Sequence, residues 1–148
     1  MRRILEPTAA RLATLRRTRA LIPALRRLCN QMTQATKAGD WARLDQTDYQ
    51  FHWAIVQASR HRRLIRAYDH CHIQITGLRA GYAHLRELPP DTTAAEHKLI
   101  VDCIGRGDAR GAEKATCDHV SRAQRCLEKH LGSRLEEIDP TEIARTRE

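Results

Sequence analysis

Asp48 and His52 place a carboxylate and an imidazole one helical turn apart, on what is otherwise the apolar face of a helix. Read in steps of three and four residues from Leu44, that face carries Asp48, Phe51, His52, Ile55 and Ser59. Side chains four residues apart share a helix face and can reach a single ion. A buried carboxylate is costly unless it is paired or bound to a cation. The pair therefore predicts an ion-binding or hydrogen-bonded position inside the core.

Histidines interrupt two further apolar faces. His97 shares a face with Ile100, Val101 and Ile104, and His119 lies in the middle of a face formed by Ala109, Ala112, Ala115, Thr116, Val120, Ala123 and Leu127. Each histidine taken alone is more often a hydrogen-bonded core residue than a ligand. Taken together on converging faces, one aspartate and three histidines predict a divalent metal site formed by Asp48, His52, His97 and His119. Ligand type alone does not choose among Zn²⁺, Ni²⁺, Mn²⁺ and Fe²⁺, of which we favour zinc or nickel.

Helices must position these residues. The chain of 148 residues contains 20 Ala, 15 Leu and 22 Arg but only three Val and six aromatic residues, so helix formers dominate and strand formers are scarce. Apolar periodicity with Gly, Pro and Asp punctuation predicts helices over about 4–17, 21–37, 41–59, 61–85, 93–104 and 109–130. Pro7 is expected in the first turn of the first helix, where it is tolerated. We therefore predict an all-α fold, an antiparallel bundle of about six helices forming one domain over residues 1–132, followed by a charged C-terminal tail over 133–148.

Positive charge is concentrated in the first 30 residues. The net charge is +8, and residues 1–30 contain eight arginines against a single acid, Glu6. Such a cluster fits a nucleic-acid-binding or acid-binding surface, a solvated helix face, or a face that meets an acidic partner. No aromatic residue is interleaved to stack on bases, which favours the solvated face. The chain also has neither a long apolar span nor a signal peptide, so we expect a cytoplasmic protein with no membrane partner.

Several short fragments point to a known family. In chain order they are Arg2-Arg3-Ile4-Leu5-Glu6-Pro7, Asp48-Tyr49-Gln50-Phe51-His52 followed by Ala58-Ser59, Glu96-His97 followed by Ile100, Gly107-Asp108-Ala109, and Asp118-His119. With these fragments spread over residues 2–130, the sequence resembles the FCD domain. This is the C-terminal effector-binding domain of the FadR subfamily of GntR-type bacterial transcription regulators.

The resemblance implies a metal-containing sensor rather than an enzyme. In such domains an aspartate and three histidines, matching Asp48, His52, His97 and His119, bind a divalent metal inside the bundle. A small organic acid effector then enters the cavity, often ligates the metal, and changes the DNA binding of the regulator, which acts as a homodimer. Arg2, which matches the arginine of the family's first helix, and Arg79 are our candidates to clamp the acid with bidentate hydrogen bonds. A surface arginine is the alternative interpretation for each.

The sequence departs from the family pattern in two respects. The N-terminal winged helix-turn-helix is absent from this sequence, so DNA binding is expected only through that missing domain. The chain is then either the effector domain of a longer regulator or a standalone protein that senses without binding DNA. Arg60-His61 also follows Ala58-Ser59, where the family usually has an asparagine that starts the next helix.

Two other function classes remain open at this stage. A three-His-one-Asp site with open positions can activate water, as in a metal-dependent hydrolase or lyase. No general base is evident for that chemistry, because Glu96 is rotated by about 100° from His97 around the helix. The second alternative is a basic helical bundle that binds nucleic acid through its arginine-rich first two helices.

Overall fold

The computed structural model of the chain describes residues 1–70 and 90–137, and these ranges form helices joined by short links. The helices are α1 (Arg2–Leu15), α2 (Leu21–Ala38), α3 (Trp41–Ala58), α4 (described over 62–70), α5 (Pro90–Arg106) and α6 (Ala109–Glu137). No strand occurs in the described ranges. The predicted all-α helical bundle is confirmed.

Local capping chemistry begins the helices that carry the candidate ligands. Asp40 accepts a hydrogen bond from the Arg43 N–H at 3.0 Å at the start of α3. Asp108 does the same for the Gly111 N–H at 2.8 Å at the start of α6. These carboxylates satisfy backbone donors that have no partner inside the helix. Both predicted caps are confirmed.

The core lies between α1, α2, α3, α5 and α6. α1 packs on α6 and α3, α2 packs on α3 and α5, and α5 packs on α6. The buried apolar residues of this core include Ala10, Ala13, Leu25, Phe51, Ile55, Ile100, Ile104 and Ala112. A second cluster joins α4 to α1 and α3 and consists of Ala9, Val56, Leu64 and Tyr68. The predicted apolar faces of α3, α5 and α6 therefore meet one another inside the bundle.

Three features of the helices differ from the sequence prediction. Pro7 lies beyond the first turn of α1, where it removes the hydrogen bond to the Arg3 carbonyl at a cost of about 3 kcal/mol. Its ring is buried, so tertiary packing offsets this cost. α5 begins at Pro90, earlier than residue 93, because a proline at the first helical position lacks only an N–H that would be unpaired anyway. α6 continues through Gly132 to Glu137, since one glycine costs a helix only about 1 kcal/mol.

Some predictions fall outside the described residues. They are the end of the fourth helix near residue 85, the break after Leu88, and the segment 138–148 of the predicted tail. The predicted domain boundary at residue 132 lies within α6, and it stays a prediction. Within 1–70 and 90–137, no helix combines the length and the apolar character that crossing a membrane requires.

Candidate metal centre

Three helices bring the four predicted ligands together. Asp48 and His52 come from α3, His97 from α5 and His119 from α6, and one potential ligand atom from each lies within 4.8 Å of those from the others. All four residues are buried, with 1–6% of their surface exposed. The Asp48 Oδ1 atom lies 3.3 Å from His97 Nε2 and 3.7 Å from His52 Nε2. The structure thus brings the four residues together, and their role as metal ligands stays a prediction.

The outer nitrogen of His52 is held by a carboxylate from α1. His52 Nδ1 lies 2.9 Å from an oxygen of Glu6, which is itself only 2% exposed. Arg2 pairs with the same carboxylate through Nε and Nη2. The Tyr68 hydroxyl of α4 donates a hydrogen bond to Glu6 at 3.0 Å. Glu6 thus links α1, α3 and α4 at one point.

The outer nitrogen of His119 is held in the same way by a carboxylate from α5. His119 Nδ1 lies 2.8 Å from Glu96 Oε2. The Nε and Nη2 atoms of Arg122, one turn further along α6, pair with the two oxygens of Glu96. Arg122 Nη2 also lies 3.4 Å from the Thr93 hydroxyl. The arrangement around His119 therefore repeats the Arg–Glu–His order found around His52.

His97 completes the cluster and carries an unsatisfied nitrogen. Its Nε2 atom is buried and makes no hydrogen bond within the described part of the chain, although Asp48 Oδ1 lies 3.3 Å away. Its ring packs on Phe51, with ring centroids 4.7 Å apart, and on His119, with centroids 4.5 Å apart. A buried polar atom without a partner is costly and calls for an explanation. A cation bound at Nε2 supplies one.

The hydrogen bonds to the outer nitrogens set the tautomers of two rings. A carboxylate accepts a proton from the imidazole, so Nδ1 of His52 and Nδ1 of His119 are the protonated atoms. The two Nε2 atoms then face each other at 3.3 Å. Two lone pairs at that distance repel unless a proton or a metal ion lies between them. The donor set, three inward Nε2 atoms and one carboxylate oxygen, fits a divalent transition metal.

The electrostatics of the site favour the neutral, metal-binding form at His97 and His119 and the charged form at His52. Burial lowers the pKa of His97, and it lowers the pKa of His119 to about 4, so both rings are neutral at pH 7. Burial acts against a charged His52, but the charges of Glu6 and Asp48 outweigh it and raise the pKa of His52. A neutral imidazole is the form that binds a metal.

Both outer carboxylates remain ionised. Burial favours the neutral form of Glu6, but the charge of Arg2 and the contact with His52 outweigh it and lower the pKa of Glu6. Burial has the same tendency at Glu96, where the hydrogen bonds from His119 and Arg122 prevail and lower the pKa to about 2. At neutral pH the pair on α5 and α6 is therefore an anionic Glu96 and a neutral His119 that donates its Nδ1–H.

The predicted effector-binding arginines are only partly described. Arg2 lies beside the site, and two of its nitrogens are engaged by Glu6. Arg79 lies outside the described residues. The other seven arginines of residues 1–30 are exposed, as expected for a solvated helix face.

Sequence reasoning missed the residues that contact the outer nitrogens of the candidate ligands His52 and His119. It named Glu6 only as an acid and as part of the family fragment, and it assigned no role at the metal to Glu96. The structure brings Glu96 to His119 rather than to His97, because α6 packs alongside α5. The sequence signal for Glu6 and Glu96 was an ionisable residue next to the apolar face of a helix, with an arginine within reach. Many surface helices show the same pattern.

Comparisons with known proteins agree with this architecture. Residues 1–122 match the family description "FCD domain". The chain is 29% identical over 90 residues to a "probable D-xylose utilization operon transcriptional repressor" from Paenarthrobacter nicotinovorans, a match that covers 61% of this chain and 39% of that protein.

Two solved structures share the fold. "E. coli McbR/YncC" matches with a TM-score of 0.79 and 17% identity over 88% of this chain and 62% of that one. "Streptococcus agalactiae GntR" matches with a TM-score of 0.65 and 22% identity over 84% of this chain and 55% of that one. This chain thus spans less than two thirds of the length of each of these relatives. The match over residues 1–122 shows that the chain belongs to the FCD domain family of GntR-type transcription regulators.

Proposed function

We propose that this FCD domain is a ligand-sensing module that binds a divalent metal and a small organic acid in the bundle cavity. Asp48, His52, His97 and His119 hold the metal, for which zinc and nickel are the preferred candidates. Binding of the acid modulates the DNA binding of a winged helix-turn-helix domain, within a cytoplasmic homodimer. The assignment to transcription follows the relatives, one of which is described as a transcriptional repressor.

One observation carries the metal assignment. Four buried ligand atoms lie within 4.8 Å of one another. One of them, His97 Nε2, is buried and makes no well-formed hydrogen bond within the described residues, and Asp48 Oδ1 lies 3.3 Å from it. A hydrogen-bonded histidine core would satisfy this nitrogen, because buried polar groups are almost always paired. The donor set is therefore better matched to a metal ion than to packing alone.

The acid is proposed from the coordination number and the neighbouring charge. Four protein ligands leave two positions of an octahedral metal for other ligands, and an anionic oxygen suits them. When bound, the metal would supply the positive charge that attracts the carboxylate. Arg2 directs Nε and Nη2 at Glu6, so we assign only its Nη1 to the acid. Arg79 stays the second candidate.

The contacts of Glu96 weigh against a hydrolase or lyase. A general base must be within reach of the proton that it removes and must be available to take it. Glu96 contacts His119, but both of its oxygens are engaged, one by His119 and both by Arg122. We therefore do not assign it as a base.

The metal content of the purified chain tests the proposal. Protein prepared without a metal-affinity tag should contain nearly one metal ion per chain, and the double variant Asp48→Ala, His119→Ala should contain none. Asp118→Asn is a matched control, because Asp118 pairs with Lys114 on the exposed face of α6. Absence of metal from the wild type after reloading with Zn²⁺, Ni²⁺ or Mn²⁺ would overturn the metal site.

A thermal-shift screen tests the acid. Small organic acids should raise the melting temperature of the metal-loaded form more than that of the metal-free form, because a ligand of the native state stabilises it by mass action. Equal shifts in the two forms would remove the metal from acid recognition.

A further inference from the structure

We infer that Arg2–Glu6 and Arg122–Glu96 are two positioning pairs, each of which fixes one metal-ligand histidine in the tautomer that turns Nε2 towards the metal. The inference rests on the proposed metal site and extends it to residues outside the ligand set. Neither glutamate is a ligand in this scheme, because each contacts a ring nitrogen that faces away from the cluster.

The geometry is the same on both sides of the site. His52 Nδ1 and Glu6 Oε2 are 2.9 Å apart, and His119 Nδ1 and Glu96 Oε2 are 2.8 Å apart. Each glutamate is paired with the Nε and Nη2 atoms of one arginine. A planar guanidinium that contacts both carboxylate oxygens fixes the orientation of the carboxylate. The carboxylate in turn fixes the ring.

Each glutamate places negative charge beside its histidine and also orients the imidazole ring. An anionic acceptor at Nδ1–H increases the electron density of the imidazole and makes its Nε2 a better donor to a metal. The arginine pairs with the glutamate inside the bundle, where an unpaired carboxylate would be costly. A neutral acceptor at the same place would orient the ring but would not strengthen the ligand.

Packing between helices is the competing explanation of the two pairs. Glu96 and Arg122 join α5 to α6, and Glu6 with Tyr68 joins α1 to α4. A role confined to packing predicts that substitutions destabilise the metal-free protein and leave the bound metal unchanged. The test must therefore observe the metal and the ring directly.

The test compares Glu96→Gln and Glu96→Ala with the wild type. Glu96 is the better site for substitution because 24% of its side chain is exposed, whereas Glu6 is buried. Zn²⁺ affinity, measured by chelator competition, should fall about 10- to 100-fold in Glu96→Ala, the range found for partners that support metal ligands. It should fall less in Glu96→Gln, whose amide oxygen still accepts the Nδ1–H. Asp118→Asn removes an exposed carboxylate of α6 and should leave the affinity unchanged.

Two spectroscopic readouts separate positioning from packing. The ligand-field absorption bands of the Co²⁺-loaded protein should shift in both Glu96 variants, because the donor strength of His119 changes. Nitrogen chemical shifts of the Zn²⁺-loaded wild type should show Nδ1 protonated and Nε2 metal-bound in His52 and His119. Glu6→Gln, where it folds, should repeat the affinity loss through His52.

The outcomes distinguish this inference from the proposed function. A wild type that binds Zn²⁺, together with Glu96 variants of unchanged affinity and unchanged Co²⁺ spectrum, would overturn the positioning pairs and leave the metal site intact. The opposite tautomer in the wild type would also overturn them. A wild type that binds neither Zn²⁺ nor Co²⁺ would overturn the metal site and the positioning pairs together.

Discussion

His52 and His119 face each other through Nε2 atoms 3.3 Å apart, although they lie on different helices and 67 positions apart in the sequence. Because their Nδ1 atoms donate to Glu6 and Glu96, both Nε2 lone pairs turn inward. The cluster therefore needs a positive charge between the rings, either a proton or a metal ion. The first two predictions follow from the competition between these two cations.

Metal binding should stabilise the fold. A ligand that binds only the native state adds about 2.7 kcal/mol when its free concentration is 100 times Kd. For a domain of about 150 residues, each kcal/mol raises the melting temperature by about 2–4 °C. Zn²⁺ at that excess should therefore raise the melting temperature of the wild type by about 5–10 °C, as measured by differential scanning calorimetry with and without chelator.

Calorimetric scans of variants test which residues are responsible for the Zn²⁺-dependent rise in melting temperature. Asp48→Ala and His97→Ala should each abolish the Zn²⁺-dependent rise, because each removes one of the four ligands. Asp118→Asn should retain it. An identical melting curve for the wild type with and without chelator would contradict the prediction.

Metal binding should release a proton from the site at any pH below the raised pKa of His52. Metal ligands must be deprotonated, and the charges of Glu6 and Asp48 raise the pKa of His52. Below that raised pKa the metal-free site holds a proton on His52, and the metal must displace it. Affinity for Zn²⁺ should therefore increase with pH, about tenfold per unit for one proton, and level off once the pH exceeds the pKa of His52.

Calorimetric titrations in buffers of different ionisation enthalpy measure this proton. At about pH 6, below the ordinary pKa of an imidazole, the slope of the observed enthalpy against the buffer enthalpy should indicate about one proton released per Zn²⁺. Glu6→Gln should release less, because it removes a charge that holds the proton on His52. A slope of zero in the wild type at that pH would contradict the prediction.

Local sequence rules predicted the parts of the fold that depend on neighbouring residues. The caps at Asp40 and Asp108 and the burial of His97 and His119 follow from motifs and periodicity within one helix, and all are present. The contact between Tyr68 and Glu6 joins positions 62 apart and depends on how α4 packs against α1. Single-helix periodicity has no access to such packing.

The contrast between patterns within one helix and packing between helices also explains which residues of the site were predicted. The four residues of the proposed metal site were identifiable because ionisable side chains on apolar faces are unusual. Glu96 was not, because its neighbour in the sequence is His97 whereas its partner in space is His119. The continuation of α6 beyond Gly132 was missed for another reason, since a glycine weakens a helix without ending it unless the chain also turns there.

Replacing Arg60 should stabilise the protein. Arg60 joins α3 to α4 with a φ of 50°, in the left-handed region that costs an ordinary L-residue about 1–2 kcal/mol. Asparagine enters this region more readily, and it is the residue that the family usually has at this junction. Arg60→Asn should therefore raise the free energy of unfolding by about 0.5–1 kcal/mol in urea titrations.

A matched substitution controls for the loss of an arginine. Arg66→Asn changes an exposed residue within the described part of α4 and should lower stability by a few tenths of a kcal/mol, because asparagine is the weaker helix former. The prediction for residue 60 would be wrong if both variants lost stability equally.

Metal binding should protect α1 from local opening more than it protects α2. Glu6 connects α1 to the ligand His52, so any opening that detaches α1 breaks a contact of the site. α2 contributes neither a ligand nor a carboxylate to the site. A native-state ligand raises the free energy only of those openings that disrupt its binding.

Hydrogen exchange of the buried amides around Ala10 should therefore slow on addition of Zn²⁺, whereas local exchange around Met32 should change little. In Glu6→Gln the difference between the two helices should shrink, and equal protection of both helices in the wild type would show that the metal acts only on global unfolding.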